Sequence, residues 1–305
     1  MSSLKGKKII RNNFHNNNPI ITPTLNVKDS NKYLINIINK KNLLISRFGG
    51  AEGNNSINFL KKKSYTSLHT LDNNAGIYIN NIKDIDVYGK LYSECVIQSD
   101  SILCFPILKD SLSNTQNFYI NNFKKLPLHN GVIEPWEMLA RNIKPWTHYL
   151  LGKKVLIISH FTESMKKQMD FKFFHNSHIF LPGQVFVYYK TFQTSGGNHP
   201  HRNWIETFEI MCRDISKLDF DIALVSCGGY GLPICHYIHN VLKKGSIYVG
   251  GILQIYFGII GRRWLREEKY HIIRNTYNSN KKDWVSPSDE EKPKNFNKVE
   301  DACYW

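Results

Sequence analysis

The chain has 305 residues, 42% hydrophobic and 13% aromatic, enough for one large core or two small ones. Forty Lys and Arg against 25 Asp and Glu give a net charge of +15, which favours phosphate-bearing ligands, nucleic acid or an anionic surface, although a general abundance of Lys, Asn and Ile accounts for it as well. None of the six cysteines forms a C-x-x-C pair, which argues against a zinc ribbon, and no uninterrupted apolar stretch reaches membrane-spanning length.

Residues 1–28 are basic and Asn-rich, with Pro19 and Pro23, and read as a poorly ordered or surface-lying arm. They lack the apolar core of a signal peptide. With so sparse a cysteine framework, the expectation is a cytoplasmic protein, soluble or peripheral. Asp29 and Ser30 look like the N-cap of a first helix carrying Tyr33, Leu34, Ile37 and Ile38. Residues 43–46 form a short strand that runs into Arg47-Phe48-Gly49-Gly50-Ala51-Glu52-Gly53, with a helix expected over 54–61. Arg47 can fork onto a phosphate or carboxylate. Glu52 can bind a divalent ion, orient a hydroxyl, or simply pair with Arg47.

Apolar spacing predicts a helix over 84–96, a strand over 101–106 and a short strand over 125–128. Glu134-Pro135-Trp136 precedes an amphipathic segment, and Trp136 and Trp146 read as core. The clearest buried strand lies within 151–161 and turns polar at Ser159-His160, with a helix from Thr162. His160 reads either as a phosphate or proton-transfer group or as a hydrogen-bonded structural residue. A short strand is expected over 179–181 and a Gly- and His-containing loop over 193–201, followed by an amphipathic helix over 204–218. His199 and His201 lack a third ligand at metal-site spacing, and His236 and His239, one helical turn apart, read as helix packing ahead of metal ligands.

Residues 221–226 form another apolar strand, followed by Cys227-Gly228-Gly229-Tyr230-Gly231 and a helix over 232–242. A strand over 246–249 then meets Gly250-Gly251, and a further helix carries Gln254, Arg262 and Arg263. Each glycine turn either lets a phosphate approach helix-opening amides or serves a purely steric purpose. The last residues, Tyr304-Trp305, are expected to dock on the main body. Strands alternating with helices imply an α/β fold: a Rossmann-like, mostly parallel sheet with helices on both faces and a ligand crevice at the strand C-termini. The expected division is an arm over 1–28, this domain over 29–270 and a docking tail over 271–305.

The segment ISRFGGAEG resembles the arginine–glycine–acidic motif (R-F-G-D-G-E type) near the start of glycosyltransferases of the GT-D fold. LLGKKVLIISHF, FDIALVSCGGYGLPICHYI and GGILQIYFGIIGRRW resemble a related set of proteins from polysaccharide and surface-glycan gene clusters, and Trp284, Pro287, Glu300 and Tyr304-Trp305 fit that set too. The resemblance spans roughly 43–305. It implies transfer of a sugar from a nucleotide-diphosphate donor to a glycan or glycoprotein acceptor. In that group an acidic D-x-E motif works with a Mn or Mg ion and the donor diphosphate. Here Gly50 stands at the aspartate position and Glu52 at the glutamate, and one carboxylate is a poor sole ligand.

On this reading Glu52 and His160 are the catalytic candidates, and Glu52 is also the candidate metal ligand. Arg47, Gly49, Gly50, Ser159, Gly228, Gly229, Tyr230, Gly231, Gly250, Gly251, Gln254, Arg262 and Arg263 are the candidate donor and phosphate contacts. The alternatives are another Rossmann-type enzyme acting on sugars or nucleotides, and a nucleotide- or glycan-binding protein that has lost its metal site. No strict G-x-G-x-x-G supports the first, and Gly50 supports the second. The basic residues are scattered, which argues against a specific nucleic-acid partner.

Overall fold

The structure, a computed structural model, describes residues 25–105, 111–169 and 177–305. The arm expected over 1–28 falls almost wholly outside these residues. The described chain forms one all-parallel, seven-stranded sheet in the spatial order β3-β2-β1-β7-β6-β4-β5. Its strands are β1 (Leu44–Arg47), β2 (Ser101–Cys104), β3 (Leu126–His129), β4 (Lys154–Ser159), β5 (Val185–Lys190), β6 (Ile222–Ser226) and β7 (Gly245–Tyr248). The Rossmann-like class is therefore the one adopted. Because every strand points the same way, all seven C-terminal tips share one edge, where such sheets hold ligands.

Period-2 alternation divides each strand between two cores. Val155 and Ile157 of β4, with Ile45, Leu224 and Ile247, face one side; Leu156 and Ile158, with Leu44, Ala223 and Val225, face the other. The first side is covered by α1 (Val27–Ile37), α6 (Pro135–Ala140) and α7 (Thr162–Met169), with α10 (Arg262–Arg266) and α11 (His271–Ser279). The second is covered by α2 (Gly50–Lys61), α3 (Leu68–Asn73), α4 (Ile82–Gln98), α5 (Ser111–Phe123), α8 (Trp204–Ile215) and α9 (Gly231–Tyr237). Pro127 is tolerated in β3 because β3 is an edge strand. Trp136 and Trp146 are core residues, at 8% and 0% exposure.

Several expectations need correction. The first helix starts at Val27 and is capped by Asn26, whose Oδ1 accepts the Asp29 N–H at 2.8 Å. Asp29 thus lies inside the helix, and the boundary at 28/29 cuts a helical turn. Helix α2 begins at Gly50 rather than at 54, which places Glu52 in its first turn. No strand occurs over 179–181; the strand there is Val185–Lys190, which the sequence reading missed. It is an edge strand with half-buried side chains, so its apolar signal is carried by Val, Phe and Tyr at β-propensity rather than by a buried run. After Gly250 the chain makes 3-10 turns through Phe257, not an α-helix.

Residues 281–305 run through short 3-10 turns. Trp305 is 8% exposed, and its Nε1 donates to the Glu291 carbonyl at 3.3 Å. Glu291 itself is buried, with its carboxylate at the N-terminus of α7. It accepts the N–H groups of Glu163 at 3.0 Å and Ser164 at 3.2 Å, the Ser164 hydroxyl, and the Ser288 N–H and hydroxyl at 3.3 and 3.1 Å. A helix start after β4 that suits a phosphate is therefore filled by the chain's own carboxylate. Removing it leaves the Glu163 and Ser164 amides without their acceptor and unpins the 288–291 turn. Glu291→Ala should lower stability by about 2–4 kcal/mol, read by urea unfolding. A loss below about 0.5 kcal/mol would show that the segment is not held there.

Candidate functional site

The tips of β1, β7, β2 and β3 build one polar constellation. Arg47 ends β1 and is half-buried. Its Nε donates to Asn130 Oδ1 at 2.8 Å, just past β3, and its guanidinium lies 4.8 Å from the Phe105 ring centroid, just past β2. At the tip of β7, Gly250 adopts φ +73, and a Cβ there would lie 2.7 Å from Arg47 Nη1. Glycine is needed at this position both for the left-handed backbone and to leave the guanidinium room. Among the described residues, no carboxylate lies within ion-pair distance of Arg47.

Helix α2 starts directly beneath Arg47. Its N-cap, Gly49, is extended and supplies no side-chain cap. The Gly49 N–H donates to Tyr92 Oη at 3.2 Å, and the first intrahelical bond runs from the Gly53 N–H to the Gly49 carbonyl at 3.0 Å. The N–H groups of Gly50 and Ala51 precede that bond and have no helical partner. A Cβ at Gly50 meets nothing within 4 Å, whereas one at Gly49 would run into the Glu52 carboxylate. Glu52 therefore folds back over the start of its own helix. Burial holds its carboxyl above the usual range, helped by nearby Glu300 and opposed by its own backbone N–H and by Arg47.

The docked tail completes the rim. Arg263 pairs with Glu300, contacts Glu267 at 3.3 Å, and donates to Tyr304 Oη at 3.2 Å. The Tyr304 ring covers Gly251, where a Cβ would strike it. Arg263 is thus spent on the tail, and the Arg262 side chain is exposed to solvent beside it. Gln254 is fully buried and ties Ile259 and Tyr304 carbonyls through its Nε2 at 3.2 and 3.1 Å. Its expected role as a donor contact gives way to a structural one.

The turn after β6 is also given to the chain itself. Gly228 adopts φ +55, and a Cβ there would lie 2.9 Å from the Ala75 carbonyl. The Gly229 N–H donates to that same carbonyl at 2.8 Å, and the Tyr230 N–H to the Cys227 carbonyl at 3.2 Å. Gly231 packs under Tyr248, and Tyr230 is buried beside Trp204. Gly228 and Gly229 serve the close approach of 75–77, and Gly231 that of the Tyr248 ring. Tyr88 and Tyr248 hold the Gly229 and Gly228 carbonyls at 3.1 and 3.0 Å, and burial, with nearby Glu52 adding to it, raises both phenols. The loop thus buttresses the Arg47–Glu52 constellation from below.

Ser159 and His160 stand apart. On the sheet, β7 and β6 separate β1 from β4, so their tips are roughly 14 Å from that of β1. Ser159 is fully buried, and its Oγ accepts the Phe161 N–H at 3.2 Å. His160 Nδ1 lies 2.6 Å from Thr191 Oγ1, and burial lowers its pKa to about 4, so it is neutral. It lines an open cavity of about 520 Å³ with Lys190, Phe192, Gln193, Asn198 and Lys294. The loop over 193–201 closes on residues 72–78, with His199 Nε2 2.8 Å from Asp72 and stacked on Tyr78 at 4.3 Å. His160 is therefore not one constellation with Glu52.

The sequence reading missed Asn130, Glu134, Glu300 and Tyr304 as members of the site. Glu134 follows the tip of β3 and is half-buried near Arg47. A carboxylate just past a strand end was its one signal, and it was read as a helix start. Among the described residues no group of three His, Cys, Asp or Glu is placed to hold a metal. With no side chain at Gly50, Glu52 lacks a partner ligand, so the residues present do not fit the divalent ion that the resemblance implies.

Two glycines give opposite expectations. Gly250→Ala strains a left-handed backbone and pushes on Arg47, and should cost about 1–2 kcal/mol in urea unfolding. Gly50→Ala enters open space on a helix and should be neutral or stabilising by up to about 1 kcal/mol. Equal effects would contradict the seating of Arg47 against Gly250. No family model, no curated protein and no solved structure matches the chain.

Proposed function

We propose that the chain is a glycosyltransferase that moves a sugar from a nucleotide-diphosphate donor to a hydroxyl of a glycan or glycoprotein acceptor. One observation carries this reading: a half-buried Arg47, with no carboxylate at ion-pair distance among the described residues, ends the strand that leads into a twelve-residue helix whose N-cap, Gly49, supplies no side chain. A guanidinium lies there with the Gly50 and Ala51 amides, which have no helical partner, a combination that binds phosphate oxygens by charge-assisted, forked hydrogen bonds once Glu52 turns aside. The resemblance of ISRFGGAEG to the GT-D motif covers the same residues.

In this reading the diphosphate lies on Arg47 and the Gly50 and Ala51 amides. As the bond from the anomeric carbon to the phosphate oxygen breaks, the diphosphate takes the electron pair, and these donors stabilise the charge that develops. Glu52, held above its usual pKa beside an anion, is suited to hydrogen-bond a sugar hydroxyl rather than to add a second negative charge. The divalent ion is not part of the scheme. The neutral His160 and its cavity, roughly 14 Å along the sheet edge, are separate from the diphosphate.

The test is a panel of nucleotide sugars, with and without Mn²⁺, read by thermal shift and by release of free nucleoside diphosphate. At least one sugar nucleotide should raise the melting temperature and be turned over without added metal. Arg47→Ala should weaken its binding by about 10- to 100-fold, the worth of a charged, forked contact. Gly50→Asp places a carboxylate in open space two residues from Glu52 and should create a Mn²⁺-dependent thermal shift that the native chain lacks. Binding with no turnover would favour the alternative of a nucleotide- or glycan-binding protein. A response to NAD or a methyl donor, and to no nucleotide sugar, would overturn the assignment.

A further inference from the structure

The turn that carries Glu134 is pinned from several sides. The Ile133 carbonyl accepts Tyr256 Oη at 2.7 Å, the Val132 carbonyl accepts Trp146 Nε1 at 2.8 Å, and the Glu134 N–H donates to the Gly131 carbonyl at 3.0 Å. Asn130, in the same turn, holds Arg47. Glu134 occupies the N-cap position of α6, immediately before Pro135, yet its side chain caps nothing. Among the described residues its carboxylate accepts no hydrogen bond and lies in no ion pair, although it is half-buried. A desolvated carboxylate on a fixed backbone with no structural task is costly, and such groups cluster at working sites.

We propose that Glu134 is the general base of this site, taking the proton of the acceptor hydroxyl as that oxygen attacks the sugar's anomeric carbon. The inference rests on the glycosyl-transfer reading of the Arg47 constellation. The acceptor O–H bond breaks and its proton goes to a Glu134 carboxylate oxygen. The new C–O bond forms with the electron pair left behind, and the old C–O bond to phosphate breaks with its pair going to the diphosphate on Arg47. Single displacement of this kind inverts the anomeric configuration. Placement supports the assignment: Glu134 ends the Asn130 turn whose amide holds Arg47, whereas Glu52 is folded over its own helix start and His160 lies three strands from β1.

Electrostatics agree with that role. Burial and neighbouring Glu137 push the Glu134 carboxyl up to about 7, against the pull of Arg47 from β1 and Lys269 from the turn before α11. Tyr256 and Tyr270 are the other titratable groups that face it. A base with its pKa near the working pH combines a usable ionised fraction with proton affinity. The sign for folding follows: an acid raised in the native state contributes stability below its unfolded pKa, near 4.5, and loses it as pH rises toward 7. Glu134→Gln should therefore melt no lower than the native chain at pH 8, a result that a structural role for this carboxylate does not give.

The experiment uses the full chain and the nucleotide sugar giving the largest thermal shift, with water as the acceptor and release of nucleoside diphosphate as the readout. Glu134→Gln should keep the thermal shift and a donor KM within about threefold, lose about 10²–10³ in kcat, and lose the acidic limb of the kcat/KM profile centred near pH 7. Glu134→Asp should recover part of kcat. The anomer first released from the donor should be inverted, read by proton NMR. Native-like kcat in Glu134→Gln, an acidic limb that survives it, or a retained anomer would overturn the proposal. If the native chain releases no nucleoside diphosphate from any nucleotide sugar, the transfer reading fails and the base assignment falls with it. That result is distinguishable from turnover indifferent to Glu134.

Discussion

A guanidinium held half out of water, with one hydrogen bond directed to a side-chain amide and, among the described residues, no carboxylate at ion-pair distance, is the constraint on which the rest of the sheet edge depends. Arg47 gains one hydrogen bond from Asn130 and ring contact from Phe105, and Gly250 makes room for it. A charge left partly desolvated and unpaired costs free energy that packing alone does not return. Such a site is stable because the surroundings over-determine it: the segments just past β2, β3 and β7 each contribute one contact, and α2 starts shortly after Arg47. The same incompleteness is what an incoming anion would relieve.

The tail is the second organising element. Residues 288–305 bind at two places, with Glu291 in the amides that open α7 and Tyr304 over Gly251. Between them Glu300 pairs with Arg263 and raises Glu52. The tail thus spends one basic residue and tunes an acidic one, while leaving Arg47 free. Its docking closes two strand tips, those after β4 and β7, with the chain's own groups.

Much of the fold was legible because buried parallel strands and amphipathic helices carry their own periodicity. β4 and β6 are continuous apolar runs, and α8 alternates cleanly. β5 was not read because an edge strand in which both faces are half-buried shows no buried run. Arg47, Gly49, Gly50 and Glu52 could be found because charge and glycine sit together in one local motif. Gly228, Gly229 and Gly231 were misread for a general reason: a glycine reports close approach, and the sequence does not say by whom. Here the approaching group is the 75–77 segment and the Tyr248 ring. Glu134 and Asn130 escaped because their meaning lies in a contact across 83 residues or more, which no local pattern encodes.

The most direct measurement is a crystal structure of the chain with a bound nucleoside diphosphate. The account predicts phosphate oxygens within hydrogen-bond distance of Arg47 Nη atoms and of the Gly50 and Ala51 amides, with Asn130 still holding Nε. A diphosphate seated on the Gly228–Gly231 turn or in the His160 cavity, with Arg47 unmoved and uncontacted, would contradict it.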